Sequence, residues 1–209
     1  MKKQKDNKEH IKRLKILESA KKIIRKDGWS KNILAKLNND KLKSSDITYL
    51  FPNGYIDLLN LSLNEINISL EKQIDKINII NFPISKRIKK ILMKRLEIIN
   101  KDKIFYKKTI RHLLLPNNSQ TMKNSLYNSV DKMWYLAGDN STDFSFYTKR
   151  ITLAIIYTNA LFILFNQSYD NVEENIDRNL KRISKIPKLK DRLSFIKDNL
   201  PIFLRGFLN

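Results

Sequence analysis

Apolar residues recur along this chain at intervals of three and four, the period of a helix with one buried face. Ile11, Leu14, Leu17, Ala20 and Ile24 form the first such stripe, and Gly28 stands where a helix C-terminus favours a left-handed residue. Trp29 and Ser30 open a short second helix through Ile33, Leu34 and Leu37. Ser44 or Ser45 caps a third, which carries Ile47 and Leu50 into Phe51-Pro52. A long amphipathic stretch from Tyr55 to about Ile77 stops at Asn81-Phe82-Pro83. Ile84, Ile88, Ile91, Leu92 and Ile99 mark another helix, with a strongly basic outer face. A sixth runs from about Asp102 to Leu115 and ends at Pro116, and a seventh starts at Ser119 and closes at Gly138. The turn from Asp139 to Asp143 is rich in capping residues and leads into a long apolar helix to Phe165. Asp170 caps a ninth helix to about Ile186, and Pro187 sets off a final segment. The pattern predicts an all-α protein of about nine helices plus a C-terminal amphipathic helix.

Ile151–Phe165 is apolar over only 15 residues and includes Thr152, Thr158 and Asn159. A membrane-spanning helix needs about 20 apolar residues, so a buried core helix is expected here. Composition narrows the chemistry further. Four glycines in 209 residues leave little room for Gly-rich phosphate loops, and zero cysteines exclude disulfides, thiolate zinc sites and Cys nucleophiles. The two histidines are His10, in a charged N-terminal stretch, and His112, which reads as a helix-face residue beside a Leu run. No Glu-x-x-His pair, dinucleotide fingerprint, Walker loop or nucleophile elbow occurs. A non-enzyme without cofactor is the expectation.

The net charge is +20, and Lys, Ile and Asn number 31, 29 and 23, the residues with the most AT-rich codons. Part of the basic balance therefore reflects codon usage. The charge is also uneven: +9 over residues 1–50, +6 over 51–110, −1 over 111–180 and +6 over 181–209. Nucleic acid and anionic membrane would both attract such flanks. The first ten residues have no apolar core and contain Asp6 and Glu9 but no Arg, which fits neither a secretory signal nor a transit peptide. A cytoplasmic protein is the simplest expectation from that segment.

The order Leu17-x-x-Ala20, Gly28-Trp29, Ile33-Leu34-x-x-Leu37, Ile47-x-Tyr49-Leu-Phe51, Leu58-Leu59 is similar to the start of TetR-type regulators. In that family these residues form a helix-turn-helix whose third helix enters the major groove. The corresponding segment here, Ser44–Leu50, has no Arg, Lys, Asn or Gln to read base edges, and it places Asp46 in its first turn. Lys41 and Lys43 are positioned for phosphate contact at most, which does not specify sequence. A TetR-like fold is expected and sequence-specific DNA is not, although a ligand-responsive regulator is the alternative reading.

The stretch Asp131-Lys-Met-Trp134-Tyr-Leu-Ala-Gly138-Asp-Asn-Ser141-Thr-Asp143-Phe-Ser-Phe146-Tyr147-Thr-Lys149-Arg150 closely resembles the signature of the Coq-nine family, lipid-binding accessory proteins of ubiquinone biosynthesis. Gly28-Trp29, Leu50-Phe51-Pro52, Pro83 to Ile88, Arg95-Leu96, Leu115-Pro116-Asn117, Tyr157 and Arg182-Ile183 extend the likeness over residues 11–186. The resemblance implies a TetR-like fold that has exchanged DNA for isoprenoid lipid. It further implies a non-catalytic protein that binds a polyprenyl quinone precursor and presents it to the di-iron demethoxyubiquinone hydroxylase, as a peripheral protein on the inner membrane face, the matrix face in a eukaryote. A homodimer is the expected assembly. The implied organisation is a basic flexible tail (1–10), a helix-turn-helix-like part (11–52), a lipid- and partner-binding helical domain (53–186) and a membrane-associating segment (188–209).

Asp143, Phe146, Tyr147 and Arg150 lie at i, i+3, i+4 and i+7, one face of a helix. A carboxylate, two aromatics and an Arg make a protein–protein hot spot, which Asp131 and Met133 join on the family pattern. The plainer reading has Asp143 capping the helix, Phe146 and Tyr147 in the core and Arg150 solvated. The family usually has Trp-Tyr where this chain has Phe146-Tyr147, which keeps the apolar face and loses an indole N–H. Leu153, Ile156, Tyr157, Ala160, Leu161 and Leu164 are the candidate lipid wall, and core packing uses the same residue types. Burial of a prenyl chain is worth about 0.8 kcal/mol per methylene, sufficient without a polar anchor.

Leu189, Leu193, Ile196, Leu200, Phe203 and Phe207 form an apolar stripe flanked by Lys188, Lys190, Arg192, Lys197 and Arg205. This describes a helix lying in the headgroup layer, broken or kinked at Pro201. The competing reading packs it on the domain or across a dimer.

Overall fold

The computed structural model describes residues 2–37, 44–142 and 144–184. Among these are eight α-helices and no strand: α1 (Lys2–Asp27), α2 (Ser44–Leu50), α3 (Tyr55–Ile74), α4 (Ile84–Asn100), α5 (Lys103–Leu113), α6 (Ser119–Leu136), α7 (Phe144–Asn166) and α8 (Asp170–Ser184). The all-α class follows from the pattern of the chain. Two details differ from it. The segment expected as the second helix, Trp29–Leu37, is a run of turns ending in a single 3-10 turn at Ala35–Leu37. Its anchors Ile33 and Leu37 are buried one helical turn apart, and so short a segment does not repay the cost of nucleating an α-helix. The first helix also starts earlier than its apolar stripe: α1 begins at Lys2, within the stretch expected as a flexible tail. That stretch lacks Gly and Pro, and its end is tied down by Tyr49 Oη donating to Glu9 Oε1 at 3.0 Å.

The chain forms two compact units. The first runs to Ile66 and takes back Asp102–Thr121, and the second joins Asn67–Lys101 to the chain from Met122 onward. The division between these two units falls inside α3. The reason lies in α5, which returns to pack on α1. Arg25 grips Asp102 with two bonds, Nε to Oδ1 at 2.9 Å and Nη2 to Oδ2 at 2.6 Å, and Lys108 Nζ donates to the Lys26 carbonyl. Ile16, Leu17, Ala20, Ile24, Leu58 and Phe105 are buried in the core of this unit.

In the second unit α4 packs on α7 and α8, and α7 on α8. Ile88, Ile91, Leu92, Leu96 and Ile99 bury one face of α4, while Lys89 on its rim pairs with Glu173 and Asp177 of α8. α8 begins at Asp170, whose backbone N–H is met by Ser168 Oγ, and Asp170 and Glu173 complement the positive end of the helix dipole. α7 is the one helix among the described residues with the length and apolar content to cross a membrane, and 61% of that stretch is buried within the protein. That burial is what a core helix shows.

Candidate functional site

The signature stretch folds into the end of α6, a tight turn and the start of α7. Gly138, at φ +79, takes the left-handed position that ends α6. Its N–H donates to the Tyr135 carbonyl at 3.0 Å and that of Asp139 to the Trp134 carbonyl at 3.1 Å, the paired bonds of a Schellman cap. Trp134 Nε1 then reaches across to the Lys149 carbonyl in α7 at 3.2 Å, and the Lys149 ammonium lies 5.6 Å from the Trp134 ring centre.

Arg150 occupies the middle of the arrangement. Its Nε and Nη2 meet Asp131 Oδ1 at 2.8 and 2.7 Å, and its Nη1 lies 3.4 Å from Asp139 Oδ2 and 3.3 Å from the Phe146 carbonyl. The guanidinium carbon sits 3.3 Å from the centre of the Phe146 ring, well inside cation–π range. Phe146 in turn meets Tyr147 edge to face at 5.2 Å. Tyr147 is 62% exposed, while Arg150 is buried. The plainer reading of the sequence had these two the other way round. Asp139 is held as a carboxylate below its ordinary range: burial works against ionisation, but bonds from Lys149 and Ser141 together outweigh it.

Of the expected partner-binding residues, Asp131, Phe146, Tyr147 and Arg150 thus come together. Asp143 lies outside the described residues. Met133 is 0% exposed, so it belongs to the core and offers no surface to a partner. The one-face placement does not set depth: α6 lies beside α7 here, so Arg150 turns down onto Asp131 and Asp139 while Tyr147 points out.

All six candidate lipid residues, Leu153, Ile156, Tyr157, Ala160, Leu161 and Leu164, are buried. Among them is a polar centre. Arg95 of α4, 1% exposed, donates from Nε to Tyr157 Oη at 2.9 Å, from Nη1 to Asn67 Oδ1 at 2.7 Å and from Nη2 to Ser129 Oγ at 2.5 Å. The sequence carried a signal for it, because position 95 falls within the Ile88, Ile91, Leu92, Ile99 stripe, where an Arg must be buried or break the face. The stripe at Leu189, Leu193, Ile196, Leu200, Phe203 and Phe207 lies outside the described residues.

In the first unit, α2 buries Ile47 and Leu50 and exposes Asp46, Thr48 and Tyr49. Lys41 and Lys43 lie outside the described residues. His112 stacks on Trp29 at 5.9 Å and meets Tyr55 edge-on at 5.6 Å. Its Nε2 is buried without a hydrogen-bond partner, and burial holds its pKa below 6.5. Among the described residues no group of three His, Asp or Glu side chains is arranged to hold a metal ion.

These features define an all-α protein carrying an aromatic and ionic surface patch at a helix–turn–helix junction. A family model described as COQ9 matches residues 119–189, which contain that junction. Residues 119–189 of the chain thus resemble the COQ9 family. It is similar to the probable ubiquinone biosynthesis protein coq9, mitochondrial, of Dictyostelium discoideum, with 27% identity over 94% of this chain and 66% of that protein. The Bos taurus ubiquinone biosynthesis protein COQ9, mitochondrial, is 32% identical over 46% of this chain and 30% of its own length. The Homo sapiens protein of the same name is 40% identical over 30% of this chain and 20% of its own length. The chain thus spans just under two thirds of the Dictyostelium relative and less than a third of the two mammalian ones in these matches.

Proposed function

We propose that this chain serves ubiquinone biosynthesis as a non-catalytic accessory protein. It holds a polyprenyl quinone precursor and presents it to the demethoxyubiquinone hydroxylase, working in mitochondria at the membrane surface and as a homodimer. The observation that carries this reading is the exposed Tyr147 beside Phe146, braced from below by Arg150 between Asp131 and Asp139. Arg150 braces Phe146 and Phe146 meets Tyr147, and an exposed aromatic backed in this way loses little entropy on docking, which is how binding hot spots gain affinity. The relatives' names supply the pathway, and the buried apolar face of α7 is the side on which an isoprenoid would lie. The basic, apolar stripe from Leu189 to Phe207 supports attachment to an anionic membrane.

The test is association of the full chain with purified demethoxyubiquinone hydroxylase. Tyr147→Lys should keep the unfolding midpoint and weaken binding at least thirtyfold, about 2 kcal/mol. Undiminished co-purification of that variant removes the patch from the interface. Mass spectrometry of lipid extracted from the purified chain should find a quinone precursor, and its replacement by ordinary phospholipid alone would overturn the presenting role.

A further inference from the structure

We infer that Asp139 is a positioning residue for the recognition patch, setting the rotation of α7 that turns Phe146 and Tyr147 outward. The inference rests on the partner-binding reading of that patch and deepens it by giving Asp139, Lys149 and Arg87 a positioning role. The Asp139 side chain is 4% exposed and both its oxygens are engaged. Oδ1 accepts from Lys149 Nζ at 2.7 Å, and Oδ2 accepts from Ser141 Oγ at 2.8 Å and faces Arg150 Nη1 at 3.4 Å. Lys149 and Arg150 are consecutive residues of α7, so their side chains leave the helix about 100° apart. One fixed carboxylate that holds both admits a narrow range of rotation about the helix axis. The same rotation decides whether position 147 faces solvent.

Asp139 can act as a fixed point because its own backbone is clamped. The two Schellman bonds hold it from the α6 side. From the outside, Arg87 at the start of α4 donates Nη1 to the Ala137 carbonyl at 3.0 Å, Nε to the Phe82 carbonyl at 2.7 Å and Nη2 to the Ile80 carbonyl at 2.6 Å. Nη1 lies 3.2 Å from where a Cβ on Gly138 would sit, so the guanidinium closes directly over the cap. Positioning therefore passes from Arg87 through the cap to Asp139, and from there through Lys149 and Arg150 to the two aromatics.

The experiment measures binding of the full chain to purified demethoxyubiquinone hydroxylase, alongside the fluorescence of Trp134 in a Trp29→Phe background. Asp139→Asn should weaken binding roughly tenfold with far-UV circular dichroism unchanged. It should also shift Trp134 emission, because Lys149 is no longer held over that ring, and Lys149→Met should give the same spectral shift. In a background carrying both Lys149→Met and Arg150→Met, Asp139→Asn should add less than about a further twofold, since both of its routes to α7 are already gone. Binding within twofold of the wild type for Asp139→Asn, while Tyr147→Lys abolishes it, overturns the inference and leaves the patch standing. Losses from Asp139→Asn and from the Lys149→Met, Arg150→Met pair that simply multiply also overturn it. Normal binding by Tyr147→Lys ends both, because no patch then remains to be positioned. If Asp139→Asn does not fold, Arg87→Lys keeps the charge and cannot bridge three carbonyls. Weakened binding with a Trp134 shift in that variant supports the inference, and unchanged values overturn it.

Discussion

The two units bury basic side chains in opposite ways. In the first, His112 is wedged between Trp29 and Tyr55 with its Nε2 inside and unbonded, and burial pushes it toward the neutral form. In the second, Arg95 is more deeply enclosed and stays a cation, since a guanidinium does not deprotonate in a protein. It is stabilised by three neutral oxygens, from Tyr157, Asn67 and Ser129, and by the Tyr157 ring 5.2 Å away. A group with an accessible neutral form can give up its charge and leave a nitrogen unpaired. A group without one needs its hydrogen bonds assembled from several helices. The first solution costs little and depends on pH; the second ties α3, α4, α6 and α7 together through one side chain.

That contrast can be broken at its strong end first. Arg95→Ala strips partners from buried Tyr157 and Ser129 and from half-buried Asn67 and leaves a cavity, so it should lower the unfolding free energy by about 3–5 kcal/mol. A urea titration measures this, and a loss below about 1 kcal/mol would show that the three acceptors find replacements. The His112 side responds to pH. The folded chain holds His112 below the 6.5 at which the unfolded chain takes up its proton. Its contribution is therefore whole above about that value and declines as pH falls toward the folded pKa. His112→Phe should flatten the loss of stability between neutral and mildly acidic pH. Parallel curves for the two proteins would assign the acid sensitivity elsewhere. At the weak end stands Arg25, whose two hydrogen bonds to Asp102 lie at the surface. Arg25→Ala should cost about 1 kcal/mol or less, with the difference fading in high salt.

The regions also differ in how much could be read from the chain. Helix ends were legible where a residue type forces them: Gly28 and Gly138 take positive φ, and the Pro83 and Pro116 boundaries stand within a residue or two of their expected places. The segment at Trp29–Leu37 was misread because its apolar spacing is helical but only one turn long, and periodicity does not report whether a nucleus will form. At the patch, the signature named Asp131, Phe146, Tyr147 and Arg150, yet Met133 sits in the same stretch and is core. A motif records that residues belong together without recording which of them face water.

By itself the sequence determined the helical class, the positions of most helices and the stretch in which the aromatic and ionic patch lies. Those properties depend on neighbours three or four residues apart and on local capping chemistry. Only the tertiary structure decided that Arg95 would be caged by residues 28, 34 and 62 positions away, that Arg87 would close over Gly138, and that Asp139 would hold two cations of the next helix. These arrangements depend on how deep each residue of a shared face is set, and packing against another helix fixes that depth.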